Sequence, residues 1–361
     1  MINVTKTFLP PVEEYYEYIN SIFKRVWLTN NGPLVNELEL KLKNYLNVPH
    51  LLFLNNGTMA IQIAIRALEL KGEIITTPFS YVATTSSIVW EHCKPIFVDI
   101  DPNTFNIDPS KIEKAITTQT SAILATHVFG NPCEISQIQN IADKHGLKVV
   151  YDAAHSFGTT YKGKSIFNYG DVSTTSFHAT KIFHTCEGGA VFTLRPETLR
   201  KMSLLRNFGH TSAITFDGVG INAKNSELHA AMGLSILKYF DEILIRRKQQ
   251  WDYYRKLLTG LRAQFLNITE GTDNYNSAYF PVVFEVQEQL LKSIDALNLQ
   301  GVYPRRYFYP SLNTLNYIEH NCCPNSERIA QNVLCLPLYH DLTNEEQNMI
   351  GRILLRVQNN P

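Results

Sequence analysis

The sequence predicts an α/β protein with a large domain, built on a mostly parallel seven-stranded sheet, and a smaller C-terminal α+β domain. Between about residues 51 and 192, short apolar runs rich in β-branched residues alternate with segments whose apolar residues recur at helical spacing. This alternation is typical of βαβ units. After Pro196 the pattern changes to long helices, and a mixed helical and strand-like segment follows.

The seven strands are predicted where apolar runs are short and are separated by turn residues or helical patterns. They are residues 51–54, 73–76, 94–98, 122–126, 148–151, 172–177 and 189–193. Between them, residues 58–70 and 132–145 place apolar residues three and four positions apart, which predicts helices. Seven strands in one sheet make a large α/β domain.

The region after Pro196 is predicted to be mainly helical. Its predicted elements, three helices followed by a strand and a further helix, are residues 197–208, 226–238, 239–261, 279–286 and 289–297. A terminal helix begins near Thr343, a suitable N-cap because Glu346 stands three residues later, as in a capping box. We expect an N-terminal segment and large domain at residues 1–240 and a small domain at 241–361.

The composition excludes several classes of protein. Lys plus Arg and Asp plus Glu both number 33 among 361 residues, so the positive field that binds nucleic acid is missing. Apolar residues make up 44%, as in folded proteins, yet no apolar run approaches the roughly 20 residues that span a membrane. The first residues lack the features of a signal peptide, so we expect a cytoplasmic protein. The cysteines form no CxxC pair and the histidines have no metal-ligand spacing, so we expect no metal site.

Lys181 is the candidate catalytic residue. It ends the segment Ser-Phe-His-Ala-Thr-Lys at 176–181, after one predicted strand, and Glu-Gly-Gly at 187–189 opens the next. A lysine at a strand end can be kept neutral by burial and cationic neighbours, and a neutral amine can form a Schiff base. A surface lysine in a loop would be the ordinary interpretation if Lys181 stood alone.

Asp152 supplies a second charged group at the same predicted sheet edge. It follows the apolar run 148–151 and begins Asp-Ala-Ala-His at 152–155. A carboxylate at the carboxyl end of a parallel strand points into the ligand crevice of an open sheet. Pyridoxal phosphate needs such an anion to keep its ring nitrogen protonated. An N-cap of the following turn is the alternative role.

Two further turns suit a phosphate group and a flat ring. Residues 55–60, Asn-Asn-Gly-Thr-Met-Ala, follow the first strand and enter a helix, so backbone N–H groups can hold a phosphate while Thr58 adds a hydroxyl. Tyr81 follows the second strand, where an aromatic ring can stack on a cofactor, although a core position is equally compatible. Neither segment is a Walker motif or a dinucleotide fingerprint.

The order and spacing of five motifs carry a resemblance to a known family. The motifs are Asn-Gly-Thr at 56–58, Ser-Tyr-Val-Ala-Thr at 80–84, Asp-Ala-Ala-His at 152–155, Ser-Phe-His-Ala-Thr-Lys at 176–181 and Glu-Gly-Gly-Ala at 187–190. They resemble the DegT/DnrJ/EryC1/StrS family of sugar aminotransferases, and the likeness extends from residues 28–33 through 220–227 to 334–338. The resemblance implies the type I fold of pyridoxal-phosphate-dependent aspartate aminotransferase.

The resemblance also implies roles for individual residues. Lys181 matches the lysine that binds pyridoxal 5′-phosphate covalently and then shuttles protons. The implied cofactor-binding residues, which hold the phosphate or contact the ring, are Gly57, Thr58, Met59, Tyr81, Asp152, His155, Ser176, Lys181 and Asn222. Asn222 matches a phosphate contact that family members supply from the neighbouring subunit, which implies a homodimer with shared active sites. The substrate-binding candidates, whose basic members suit a nucleotide diphosphate, are Thr29, Asn30, Lys224, Arg305, Arg306 and Tyr309.

The reaction that the resemblance implies is amino transfer from glutamate to a nucleotide-linked keto-6-deoxyhexose. Related 3-dehydratases carry histidine in place of the cofactor lysine, so Lys181 favours transamination over that dehydration. The peripheral segments are most similar to the subgroup that acts on dTDP-4-keto-6-deoxyglucose. The alternatives are an aminotransferase for a dTDP-linked 3-keto-6-deoxyhexose or a UDP-linked 4-keto sugar, and a cofactor-binding regulatory protein without turnover.

Overall fold

A large sheet forms the centre of the molecule in the computed structural model, which describes residues 1–359. The strands, in chain order, are β1 (Ile2–Asn3), β2 (His50–Leu54), β3 (Glu73–Thr76), β4 (Lys94–Phe97), β5 (Thr120–Thr126), β6 (Lys148–Asp152), β7 (Thr160–Tyr161), β8 (Lys164–Ser165), β9 (Val172–Ser176), β10 (Gly189–Thr193), β11 (Ala263–Phe265), β12 (Thr272–Asn274), β13 (Phe280–Phe284), β14 (Val302–Tyr303) and β15 (Val333–Leu336). The α-helices are α1 (Val12–Arg25), α2 (Pro33–Leu46), α3 (Gly57–Ala67), α4 (Val82–Trp90), α5 (Pro109–Ala115), α6 (Ile135–His145), α7 (Pro196–Arg206), α8 (Glu227–Leu237), α9 (Phe240–Leu257), α10 (Gln287–Leu299), α11 (Pro324–Asn332) and α12 (Asn344–Asn359).

The large sheet has the strand order β2, β10, β9, β6, β5, β3, β4, seven strands within residues 1–359. All of them run parallel except β10, which is antiparallel to both β2 and β9. β2 lies at one edge, and within the described chain its ladder partners all belong to β10. The predicted α/β class and the seven predicted strands are therefore confirmed.

Helices cover both faces of this sheet, because successive side chains of each strand point to opposite sides. In β2, Leu51 and Phe53 join a core with residues of α2, α6 and α8. Leu52 and Leu54 pack on the other face with α3 and α7. Strands buried on both faces read as continuous apolar runs, which explains why they were visible in the sequence.

The C-terminal part forms a smaller unit around the antiparallel sheet β11, β13, β15. Its core contains side chains of α9, α10 and α12, and β1 pairs with β14 on this unit. The predicted capping box begins α12. Thr343 Oγ1 accepts a hydrogen bond from the Glu346 N–H at 3.2 Å, and the Thr343 N–H donates to Glu346 Oε2 at 2.9 Å. The predicted division after residue 240 falls at the start of α9 and stays a prediction.

The predicted helices exist, with ends that differ by a few residues. The helix predicted at 58–70 is α3, which begins at Gly57 because the Asn56 side chain caps it. The helix predicted at 132–145 is α6, which begins at Ile135. α1 and α2, which occupy much of the first 46 residues, were not predicted. Within residues 1–359, no helix combines the length and apolar character needed to cross a membrane.

Candidate active site

A cavity of about 340 Å³ opens where several strands of the large sheet end. Asp152 and Ser176 are the last residues of β6 and β9, and the turns after β2 and β3 bring Thr58 and Tyr81 to the same wall. Lys181, in the loop between β9 and β10, completes that wall. Seven of the nine predicted cofactor-binding residues line this cavity: Gly57, Thr58, Tyr81, Asp152, His155, Ser176 and Lys181.

The turn between β2 and α3 is shaped as a shallow cradle. Asn56 Oδ1 accepts a hydrogen bond from the Met59 N–H at 2.8 Å, so this N–H is engaged within the helix cap and Met59 does not line the cavity. A Cβ on Gly57 would lie 2.8 Å from the Cβ of Ser176, so only glycine permits this approach. The start of α3, the Thr58 hydroxyl and Ser176 together fit a phosphate group.

Asp152 is a buried carboxylate held by two hydrogen bonds. Thr84 Oγ1 donates to Asp152 Oδ2 at 2.6 Å, and the Ala154 N–H donates to Oδ1 at 3.1 Å. Ser80 Oγ lies 2.9 Å from Thr84 Oγ1 and so supports the first of them. Burial raises the pKa of Asp152, whereas Thr84, Ala154 and Lys181 act to lower it. The carboxylate is thus fixed as a hydrogen-bond acceptor that faces the cavity, as a protonated ring nitrogen requires.

Lys181 has the electrostatic environment of a nucleophilic amine. Burial lowers its pKa to about 8, and the negative charges of Asp152 and then Tyr81 act in the opposite direction. Cationic neighbours were also expected to lower this pKa, but burial is the one lowering cause, and the main charge that acts on Lys181 is the carboxylate of Asp152. A substantial fraction of this amine is therefore neutral just below pH 8.

His155 forms a buried aromatic wall with residues of the smaller unit. Its ring lies nearly parallel to Phe308, with centroids 5.5 Å apart, and meets Tyr279 edge-on at 5.0 Å. Burial, and then Lys181, keep the pKa of His155 well below its ordinary value, so the imidazole is neutral. Its Nδ1 is buried and has no hydrogen-bond partner within residues 1–359. A polar group of a bound cofactor would satisfy this atom.

Two of the substrate-binding candidates meet in a second, polar depression of about 450 Å³. Asn30 and Lys224 line it together with His210 and Ser212, and it shares no lining residue with the Lys181 cavity. Lys224 Nζ donates to Asn207 Oδ1 at 2.7 Å. The structure thus brings the N-terminal and the 220–227 motifs together, but on a different surface of this chain.

Thr29 and Asn222 are exposed and line neither cavity. The chain does not carry Asn222, the predicted phosphate contact, to its own Lys181 cavity. Both roles stay predictions, and the contact expected of Asn222 needs a second subunit.

The remaining substrate-binding candidates lie on the smaller unit. Arg306 places its guanidinium 3.7 Å from the ring centroid of Tyr309 and donates to the Gln331 carbonyl at 2.9 Å. Arg305 is exposed, and none of the three lines the Lys181 cavity. Their neighbours Tyr307 and Phe308 do line it.

Tyr279, Tyr307 and Phe308 are the residues of the smaller unit that line the cavity, and none of them was predicted as a site residue. The available signal was the similarity of the segment around residues 305–312 to family sequences, since aromatic side chains in a strand or turn have no spacing that marks a site. Thr84 ends the Ser-Tyr-Val-Ala-Thr motif and had no predicted role, although its hydroxyl fixes Asp152.

Comparison with known proteins agrees with this geometry. The model of the DegT/DnrJ/EryC1/StrS aminotransferase family matches residues 11–355. A "dTDP-4-amino-4,6-dideoxy-D-glucose transaminase" from Shigella dysenteriae is 42% identical over 350 residues, which cover 95% of each chain.

Two solved structures share the fold. DesI, crystallised in the presence of its TDP-sugar product, superposes with a TM-score of 0.94 at 31% identity, covering 99% of this chain and 93% of DesI. NtdA from Bacillus subtilis, with bound cofactor PMP, superposes with a TM-score of 0.90 at 29% identity, covering 96% of this chain and 82% of NtdA. The cradle, the fixed Asp152 carboxylate and the lowered pKa of Lys181 fit the same cofactor. The chain therefore belongs to the DegT/DnrJ/EryC1/StrS aminotransferase family, and its cofactor is pyridoxal 5′-phosphate.

Proposed function

We propose that this aminotransferase moves an amino group from glutamate to dTDP-4-keto-6-deoxyglucose and so produces dTDP-4-amino-4,6-dideoxyglucose. The observation that carries amino transfer is the cavity that unites a lysine of lowered pKa, a fixed buried carboxylate and a phosphate cradle. The choice of sugar is supported by the Shigella relative, whose name states this product, and by DesI, whose product is a TDP-sugar.

Asp152 and the phosphate cradle orient the cofactor in this proposal. Pyridoxal phosphate, when bound, supplies an electron sink for the carbon that gains or loses the amino group. The Asp152 carboxylate, already fixed by Thr84 and Ala154, would hold the proton of the cofactor's ring nitrogen. Thr58 and Ser176 would hold its phosphate beside the start of α3.

Lys181 performs the proton transfers. Because its pKa is about 8, Nζ can accept a proton from the donor carbon and return one at the sugar carbon near neutral pH. His155, Phe308 and Tyr279 form an aromatic wall on one side of the cavity. The pKa of His155 lies well below its ordinary value because of burial, so its imidazole is a weaker base than Lys181 and does not compete for these protons.

A substrate comparison tests the proposal. The purified holoenzyme is incubated with glutamate and either dTDP- or UDP-linked sugars that carry the keto group at C4 or C3, and the product is identified by mass spectrometry and NMR. We expect the dTDP-linked 4-keto sugar to be aminated fastest, with Lys181→Ala as the inactive control. A faster reaction at C3, or with the UDP-linked sugar, would overturn the choice of substrate. If glutamate does not convert the bound cofactor to its pyridoxamine form, the protein would instead be a regulatory protein.

We also propose that the active unit is a homodimer with shared sites. Asn222 and the depression lined by Asn30 and Lys224 are separate from the Lys181 cavity, as expected if each completes the site of a partner. The neighbouring segment exposes large apolar side chains, with Ile214 85% and Val219 90% exposed, which a subunit interface would cover. The cytoplasmic location stays a prediction.

Subunit mixing tests the shared site. Lys181→Ala and Asn222→Ala proteins, each inactive alone, are mixed under conditions in which subunit exchange is verified. A mixed dimer then has one site with both lesions and one intact site, so activity should recover. No recovery after verified exchange would mean that Asn222 does not complete a partner's site.

A further inference from the structure

Glu227 is a fully buried carboxylate that joins two motifs distant in sequence. Its Oε2 accepts a hydrogen bond from the Leu34 N–H and its Oε1 from the Val35 N–H, both at 2.9 Å. These N–H groups belong to the first turn of α2, whose N-cap residue Gly32 has no side chain to accept them. Glu227, the first residue of α8, therefore caps α2 from another part of the chain.

Glu227 also anchors the N-terminal end of the loop that precedes α2. The Glu227 N–H donates to the Leu28 carbonyl at 2.9 Å, and Arg25 places its guanidinium 3.7 Å from Oε2. Between these anchors, Asn30 and Asn31 have φ angles of 62° and 55°. Left-handed backbone at two successive residues is locally unfavourable, even for asparagine, so tertiary contacts must hold the loop.

The segment before Glu227 is fixed as well. Asn225 Nδ2 donates to the Leu54 carbonyl at 3.1 Å and to the Glu187 carbonyl at 3.0 Å, which ties it to the end of β2 and to the start of β10. Lys224 precedes this anchor directly and lines the polar depression together with Asn30. Glu227 thus sets the distance between two sides of that depression.

We propose that Glu227 is a positioning residue, whose carboxylate holds the loop of Thr29 and Asn30 opposite Lys224 so that the depression is preformed for the nucleotide diphosphate part of the substrate. This inference rests on the proposed function, from which the ligand of the depression is taken. Both carboxylate oxygens accept backbone N–H groups, so a glutamine would direct its own NH₂ group at one of these donors. Loss of that hydrogen bond would release the loop while leaving the Lys181 cavity intact.

Nucleotide binding by the holoenzyme tests the role of Glu227. The dissociation constant of dTDP is measured by calorimetry for the wild type and for Glu227→Gln. We expect the variant to raise this constant about 10-fold or more, because buried donors lose their charged acceptor. The cofactor content, and the conversion of the cofactor by glutamate without sugar nucleotide, should change far less than dTDP binding, because Glu227 does not line the cavity that contains Lys181, Asp152 and the phosphate cradle.

Asp171→Asn is the matched control. Asp171 is also a mostly buried carboxylate that accepts a backbone N–H, from Val149 at 2.9 Å, and it pairs with Arg195 at 3.3 Å. It lies just before β9, whose other end, Ser176, lines the cavity. This control should lower the thermal midpoint without changing dTDP binding, which separates positioning from general stability.

An unchanged dTDP dissociation constant in Glu227→Gln would overturn the inference. Should that variant not fold, Gly32→Ala decides alone: it keeps the charge but puts a methyl group 2.5 Å from the Glu227 carboxyl carbon. It must weaken dTDP binding, and unchanged binding would again overturn the inference. Failure of the proposed function is seen separately, as wild-type protein that binds no dTDP, and it overturns this inference as well.

Discussion

Replacing Asp152 by Asn should affect the loading of the cofactor and the turnover in opposite directions. In the cofactor-free protein, burial lowers the pKa of Lys181 to about 8, and the charge of Asp152 is the largest influence that raises it. At a pKa of about 8, roughly a quarter of the amine is neutral at pH 7.5, against about one part in a thousand at the ordinary lysine value. The Asp152→Asn substitution removes the main influence that raises the pKa of Lys181. This pKa should therefore fall, and the neutral fraction of the amine should rise further.

The expected pH dependence follows from the direction in which the pKa of Lys181 is shifted. The amine is protonated below its pKa and reactive above it, so the rate of cofactor loading should rise with pH through about 8 in the wild type. In Asp152→Asn the same rise should occur at lower pH. Turnover should fall by at least ~10²–10³, because the amide cannot hold the proton of the ring nitrogen as the carboxylate does. A His155→Ala variant should lose much less turnover, because the imidazole of His155 is neutral and its removal takes no charge from the site.

Both quantities can be measured on the same preparations. Loading of cofactor-free protein is followed by absorbance across pH 6 to 9, and turnover by a coupled assay of 2-oxoglutarate formation. Asp171→Asn, at the end of β9 that lies away from the cavity, is the control. Near-normal turnover in Asp152→Asn would refute the role given to the carboxylate. A loading profile displaced to higher pH would refute the electrostatic account of Lys181.

Other variants test separate parts of the structure. Borohydride reduction of the holoenzyme, followed by peptide mapping, should place the cofactor on Lys181, and a label on any other lysine would contradict the site. Gly57→Ala should raise the cofactor dissociation constant about 10-fold or more by equilibrium dialysis, because a methyl group 2.8 Å from the Cβ of Ser176 overpacks the cradle by about 1–3 kcal/mol; unchanged affinity would mean that the phosphate is held elsewhere. Thr343→Ala should destabilise the protein by about 1 kcal/mol in urea unfolding, whereas Thr343→Ser, which keeps the cap, should not.

Much of the large sheet and its edge could be predicted from the sequence because the signals are local. β6 is buried on both faces from Val149 to Asp152, which gives an unbroken apolar run followed by a single carboxylate. The Thr343 capping box is likewise a contact between residues three positions apart. Strand order, by contrast, depends on pairing between distant segments, and no local pattern marks β10 as the antiparallel strand.

The contribution of the smaller unit to the cavity could not be predicted. Phe308 and Tyr279 reach His155 through tertiary packing far from it in sequence, and their spacing resembles that of ordinary buried aromatics. Adjacent arginines suggested phosphate binding, yet Arg306 is engaged by backbone carbonyls and by the ring of Tyr309. Whether a cation faces a ligand or a carbonyl is decided by the packing of its neighbours.

The position of β2 at the sheet edge has a consequence for how the protein is made. The phosphate cradle follows β2, and within the described chain β2 is paired only with β10, from Leu54 with Gly189 to His50 with Thr193. During synthesis the ribosome therefore releases the cradle long before the strand that anchors it, and such non-local pairing is slow to form. Nascent chains that end before β10 should be unable to retain the vitamin-derived cofactor. Cofactor binding should therefore be a late step in the synthesis of the protein, which occurs only after β10 has completed the sheet.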